Sequence, residues 1–143
     1  MFSALSLNRT TDRTRHLQDG EAFLKAIDAG TLPQVTFYKP TGRLNEHPSY
    51  TNIKEGDEHI DAVVKRLTQS PQWPRMLVIV TYDENGGFWD HVPPPSGVGW
   101  SDRWGPGSRI PAIIISPFAK RGHVDKTSDD TTSILKLITK RFG

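Results

Sequence analysis

Apolar positions along the chain change period several times, and each change marks an element. Ile60, Val63, Val64 and Leu67 fall at i, i+3, i+4 and i+7 between Gly56 and Ser70-Pro71, the spacing of one helix face. A shorter helix is predicted after Asp19, a good N-cap, with Phe23, Leu24 and Ile27 on its apolar side and Gly30 as its stop. A third runs from Thr131 to Phe142, with Ile134, Leu135, Ile138 and Phe142 on a broad face after Asp130 or Thr131 as cap. Residues 32–40 alternate Val35 and Phe37 against Thr36 and Tyr38, which predicts a strand closed by Pro40. Met76 to Val80 and Ala112 to Ile115 are continuous, largely β-branched runs, read as strands buried on both faces in a parallel sheet. The resulting order of three main strands and about three helices predicts an α/β layer fold.

Length and composition narrow this picture. At 143 residues with 35% hydrophobic side chains, the chain has room for one domain with a modest core. Residues 1–19 form a polar N-terminal segment, and 20–143 carry the periodic pattern. Eighteen basic side chains against sixteen acidic, interspersed, give +2 and do not suggest a polyanion-binding surface, so no nucleic-acid partner is expected. The absence of cysteine excludes a disulfide framework, a zinc-thiolate site and a thiol nucleophile. No apolar run in the sequence is long enough to predict a transmembrane segment, and MFSALSLNRT lacks the pattern of an export signal.

Candidate chemistry gathers after the 76–82 strand. In TYDENGGFWDHV, Asp83 and Glu84 leave the strand end together, followed by a turn at Asn85-Gly86-Gly87 and then Asp90 and His91. Two neighbouring carboxylates on a rigid strand suit a hard divalent cation or general acid–base work. The same residue types are also turn formers, and consecutive strand positions point to opposite faces unless the strand ends there. The span 86–107 holds six Gly, four Pro and three Trp (Trp89, Trp100 and Trp104), too long and too aromatic for a plain connector. In open α/β sheets, ligands bind beyond the strand carboxyl ends. In RLNEHPSY, Asn45, Glu46 and His47 follow Pro40, and His47 is a candidate ligand or proton donor, or an idle loop histidine. Arg109, after a Gly-Pro-Gly run, offers a fork for phosphate or carboxylate, or is simply an exposed cation. The DDTTS run at 129–133 is explained by helix capping alone.

Taken together, GTLPQVTFYKPTGRLNEHPSYTNIKEGDEHI, SPQW, TYDENGGFWDHVPPP, DRWGPGSRIPAIIISPFAKRGHVD and TTSILKLITKRFG resemble the carboxyl-terminal part of the bacterial phosphoesterase family. That family contains acid phosphatases and phospholipase C enzymes and belongs to the alkaline-phosphatase-like superfamily. The resemblance implies a partial alkaline-phosphatase-like sheet with flanking helices. It also implies hydrolysis of a phosphoric ester, with Asp83 and Glu84 as metal ligands, His47 as an active-site histidine, His91 near the site, and a divalent metal ion as cofactor. Family members are typically exported. The DTTS form of the last helix cap favours the acid phosphatase branch. The VDKTSDDTTS segment departs from relatives that carry His or an aromatic residue at Lys126 and Asp129. The family's amino-terminal half, with its remaining ligands and hydroxyl nucleophile, has no counterpart here, and Ser49, Thr51 and Ser108 lie outside the nucleophile context. The expectation is a catalytic part, inactive alone, whose partners are a phosphate ester substrate and the absent half. The alternative is a non-catalytic α/β module binding a phosphorylated ligand through the Trp-rich loop and Arg109.

Overall fold

The computed structural model describes residues 14–97 and 105–143. Most of the polar N-terminal segment therefore lies outside the described residues, as do Trp100 and Trp104 of the Trp-rich loop.

The first helix, α1 (Gly20–Ala29), starts where expected because Asp19 accepts a hydrogen bond from Ala22 N at 2.8 Å. It stops at Gly30, whose φ of 66° is the left-handed conformation that lets its N–H turn back onto the last carbonyls. The long helix α2 (Ile53–Gln69) begins three residues before Gly56, since Asn52 supplies the cap by accepting from Glu55 N at 2.8 Å. The two helices pack through Ile27, fully buried, and Leu67, nearly so. Polar groups lock the same junction. Ser70, buried just past α2, donates its Oγ hydrogen to the Ile27 carbonyl at 2.7 Å, satisfying an acceptor at the end of α1. Gln72 bonds both backbone groups of Leu32, its Oε1 accepting from Leu32 N and its Nε2 donating to Leu32 O, each at 3.0 Å.

That amide does for Leu32 what a neighbouring strand would do, and it accounts for the first departure from expectation. Residues 32–40 run without helical or ladder pairing, so the predicted strand is absent, and Phe37 stands mostly exposed. Short 3₁₀ turns at Gly42–Leu44 and Trp73–Arg75 complete this half of the molecule.

The second departure concerns the sheet. β1 (Val78–Thr81) and β2 (Ala112–Ile115) pair antiparallel, Val78 opposite Ile115 and Thr81 opposite Ala112, where a parallel arrangement was expected. Continuous apolar runs are typical of parallel strands buried on both faces, but pairing sense itself is set by the path of the chain between the strands. The described residues between the strands contain no crossover helix, which leaves antiparallel pairing as the direct solution. Side chains extend the ladder at both ends: Thr81 Oγ1 donates to Pro111 O at 2.9 Å and Ser116 Oγ to Met76 O at 2.8 Å. The mixed helix and strand content is that of a partial α/β fold.

Expected burial on both faces is also absent, for Ile113 and Ile114 of β2 are more than half exposed. The last helix, α3 (Thr131–Phe142), has a complete capping box between Asp130 and Ser133 yet packs on no other helix or strand among the described residues. Its Leu135, Leu137 and Phe142 face solvent. A two-stranded ribbon with bare apolar faces is marginal in water and templates association. The isolated chain is therefore expected to elute from a sizing column as concentration-dependent oligomers. A single monomer peak over a hundredfold dilution would contradict this.

Candidate active site

β1 ends at Thr81, and the next three residues, Tyr82, Asp83 and Glu84, turn out of the ribbon. The turn is built by its own side chains: Glu84 Oε2 accepts from Gly86 N at 2.7 Å, and Asn85 Nδ2 donates to Phe88 O at 3.0 Å. Gly86 and Gly87 both take positive φ, 65° and 75°, which two residues with Cβ atoms would adopt only under strain. Asp83 is largely exposed and accepts from Lys39 Nζ at 3.2 Å. The hydrogen bond and charge of Lys39 hold its carboxyl below the usual carboxylate range.

His47 is held from several sides. Its N–H donates to Asn45 Oδ1 at 3.0 Å, its carbonyl accepts from Thr51 Oγ1 at 2.8 Å, and Tyr50 stacks on its ring at 4.5 Å. Nδ1 lies 2.6 Å from the Pro48 carbonyl. A carbonyl only accepts, so Nδ1 carries the hydrogen and, in the neutral ring, Nε2 presents the lone pair. Glu46 and Ser49, on either side of His47-Pro48, both adopt the left-handed backbone region with φ of 60° and 78°. Conformations of that kind cost non-glycine residues of order 1–3 kcal/mol and persist where surrounding contacts impose them.

Those contacts join this loop to the strand end. Tyr82 donates its hydroxyl hydrogen to Glu46 Oε2, across 36 positions of sequence. Burial and the Glu46 carboxylate raise the Tyr82 phenol to about 12. Glu46 reaches Tyr82 by crossing α2 at Gly56, where an added Cβ would lie 2.1 Å from Glu46 Cγ. Pro48 makes a second contact, its Cγ 3.2 Å from where a Gly86 Cβ would sit. The residues flanking His47 thus touch the residues flanking Asp83 and Glu84, so the two sequence motifs meet at one place. Farther along α2, His59 Nε2 lies 2.8 Å from the Tyr38 hydroxyl, and Tyr38 stacks on Phe23.

Arg109 and His91 are placed otherwise. Arg109 engages Asp90 with a bidentate fork, Nε to Oδ2 and Nη2 to Oδ1, both at 2.8 Å. Arg109 and the Val92 N–H hold Asp90 far below the ordinary carboxylate range, so one edge of the guanidinium is committed to a protein carboxylate. His91 is three-quarters exposed beside Asp90 and Trp89.

A hard divalent cation takes six or more oxygen ligands. Asp83 and Glu84 are the right donors, but among the described residues no group of three or more His, Asp or Glu side chains is arranged to hold a metal. The two carboxylates have the donor chemistry for such an ion but do not by themselves make up a ligand shell. Sequence patterns singled out His47, Asp83 and Glu84 as candidates but not the residues that join their two segments. Tyr82 and Gly56 carry no motif of their own, and Glu46 reads as an ordinary loop acid until its backbone conformation is known.

No helix among the described residues is long and apolar enough to cross a membrane. The chain is 36% identical over 138 residues to a hemolytic phospholipase C of Pseudomonas aeruginosa, covering 83% of this chain and 19% of the relative. It is 35% identical over 141 residues to phospholipase C B of Mycobacterium tuberculosis, covering 85% and 27%, and 29% identical over 151 residues to a non-hemolytic phospholipase C of Pseudomonas aeruginosa, covering 86% and 22%. The chain thus spans about a fifth to a quarter of the length of these curated relatives. A model of the Phosphoesterase family matches residues 3–143, nearly the whole sequence, and the chain belongs to that family.

Proposed function

We propose that this chain carries one part of the catalytic centre of a phosphoric ester hydrolase of the phospholipase C or acid phosphatase type. The observation that carries the reading is the meeting of the His47 loop with the Asp83–Glu84 strand end through Tyr82–Glu46 and Pro48–Gly86. In this reading His47, its Nδ1–H committed to Pro48, uses Nε2 to take up a proton and return it to the departing alcohol oxygen. Asp83 and Glu84 present negative oxygen at the mouth of the strand, where they would hold a divalent metal together with ligands from polypeptide outside these 143 residues. Such a metal supplies charge stabilisation for the transferring phosphoryl oxygens. The hydroxyl nucleophile would come from that same outside polypeptide, so the chain alone is expected to be inactive.

A chimera tests this: residues 3–143 replace the matching segment of the Mycobacterium tuberculosis relative. Hydrolysis of phosphatidylcholine or p-nitrophenyl phosphate is expected from the chimera and none from the chain alone. The substrate that turns over separates a phosphodiesterase from a phosphomonoesterase. A folded chimera inert toward both would overturn the reading.

A further inference from the structure

We propose that Glu46 and Tyr82 are a positioning pair for this site: their hydrogen bond, seated on Gly56 and backed by Pro48 against Gly86, sets His47 in register with Asp83 and Glu84. The proposal rests on the functional reading above and assigns roles to residues that the reading leaves idle.

Several independent features point the same way. Glu46 pays for a left-handed backbone, φ 60°, although nothing in its residue type favours that conformation. Its Oε1 is buried and has no hydrogen-bond partner among the described residues, which is itself unfavourable in a carboxylate. Helix α2 gives up a side chain at Gly56, its fourth residue, so that Glu46 can pass. A junction selected only for stability would fill the same space with an apolar side chain and an alanine in the helix, without a left-handed carboxylate. What the arrangement achieves is a rigid spacing, since each partner is the immediate chain neighbour of a candidate catalytic group: Glu46 precedes His47, and Tyr82 precedes Asp83. His47 is further restricted because it precedes a proline, which confines it to extended backbone. Rotation of either segment would therefore have to break the Tyr82–Glu46 bond. Proton transfer and phosphoryl transfer depend on sub-ångström placement, so supporting hydrogen bonds of this kind influence rate more than affinity.

The experiment uses the full 143-residue chain, isotopically labelled, and follows the His47 imidazole Cε1–Hε1 cross-peak and the Asp83 and Glu84 amide cross-peaks at one fixed pH. Tyr82→Phe is expected to move the His47 ring peak. Glu46→Ala is expected to move the His47, Asp83 and Glu84 peaks together, and Glu46→Gln, whose amide oxygen still accepts from Tyr82, to return them toward wild type. Tyr38→Phe, which removes the bond to His59, should leave all three in place. In the chimera, Tyr82→Phe should lower kcat roughly 10- to 100-fold with KM unchanged, the range found for groups that orient reacting ligands. Should Glu46→Ala fail to fold, Tyr82→Phe decides alone. A His47 peak unmoved in folded Tyr82→Phe, or an unchanged kcat, overturns the pair. The spectroscopic outcome is independent of turnover, so an inert chimera would refute the functional reading and leave the coupling measurement standing.

Discussion

Replacing Asp83 or Glu84 by alanine in the chimera is expected to lower kcat on the order of a hundredfold to a thousandfold, the scale of losing one aimed electrostatic group at a reacting centre. Metal content, measured by elemental analysis after extensive dialysis, should fall in parallel, because a divalent ion short of an anionic oxygen loses the compensation for its desolvation. The two sites should differ in a second property. Glu84 accepts from Gly86 N inside the turn, so its loss also loosens the glycine pair, whereas the side-chain partner of Asp83 is the exposed Lys39. Asp83→Ala should therefore leave the chain as stable as wild type, since an exposed ion pair contributes little. Glu21→Ala, which breaks an exposed i,i+4 pair on α1, is the control and should change neither metal nor rate. Wild-type turnover in both strand-end variants would make these acids mere turn formers.

A Gly56→Ala substitution is expected to destabilise the chain by at least about 2 kcal/mol, against the usual direction of this change in a helix. Alanine in a helix interior is ordinarily favoured over glycine by roughly 0.5–1 kcal/mol. At Gly56 the new methyl would stand 2.1 Å from Glu46 Cγ and 2.7 Å from its carboxyl carbon, so the Glu46 side chain must leave and Tyr82 loses its acceptor. Gly20, in the first turn of α1, has nothing within 4 Å of the same position. Gly20→Ala should accordingly be neutral or slightly stabilising. Urea denaturation of the two variants side by side gives opposite signs if the crossing at Gly56 is real. A Gly56→Ala chain as stable as wild type would mean that Glu46 does not pass there.

These two glycines show where sequence reasoning succeeds and where it stops. Local signals were sufficient for the helices: Asp19 and Gly30 bound α1, the Ile60–Leu67 spacing marks α2, and Asp130 caps α3. The strands at 78–81 and 112–115 were equally visible in their β-branched runs. Their antiparallel direction was not, because pairing sense depends on the path of the chain between them. Residues 32–40 alternate as a strand does, yet Leu32 is satisfied by the side chain of Gln72, forty positions away, which no local window can contain. The site divides similarly. Charge and imidazole chemistry singled out His47, Asp83 and Glu84, while Glu46, Tyr82 and Gly56 matter through a crossing of three segments and have no composition signature.

The Asp90–Arg109 fork has a consequence for divergence. It fastens together positions 19 apart, just beyond the strand-end acids on one side and just before β2 on the other. The cost of closing such a span grows only with the logarithm of its length, about 0.6 kcal/mol per doubling. With the span fastened at its base, insertions or deletions between Asp90 and Arg109 are expected to leave the register of Val78 with Ile115, and the direction in which Asp83 and Glu84 leave the ribbon, unchanged.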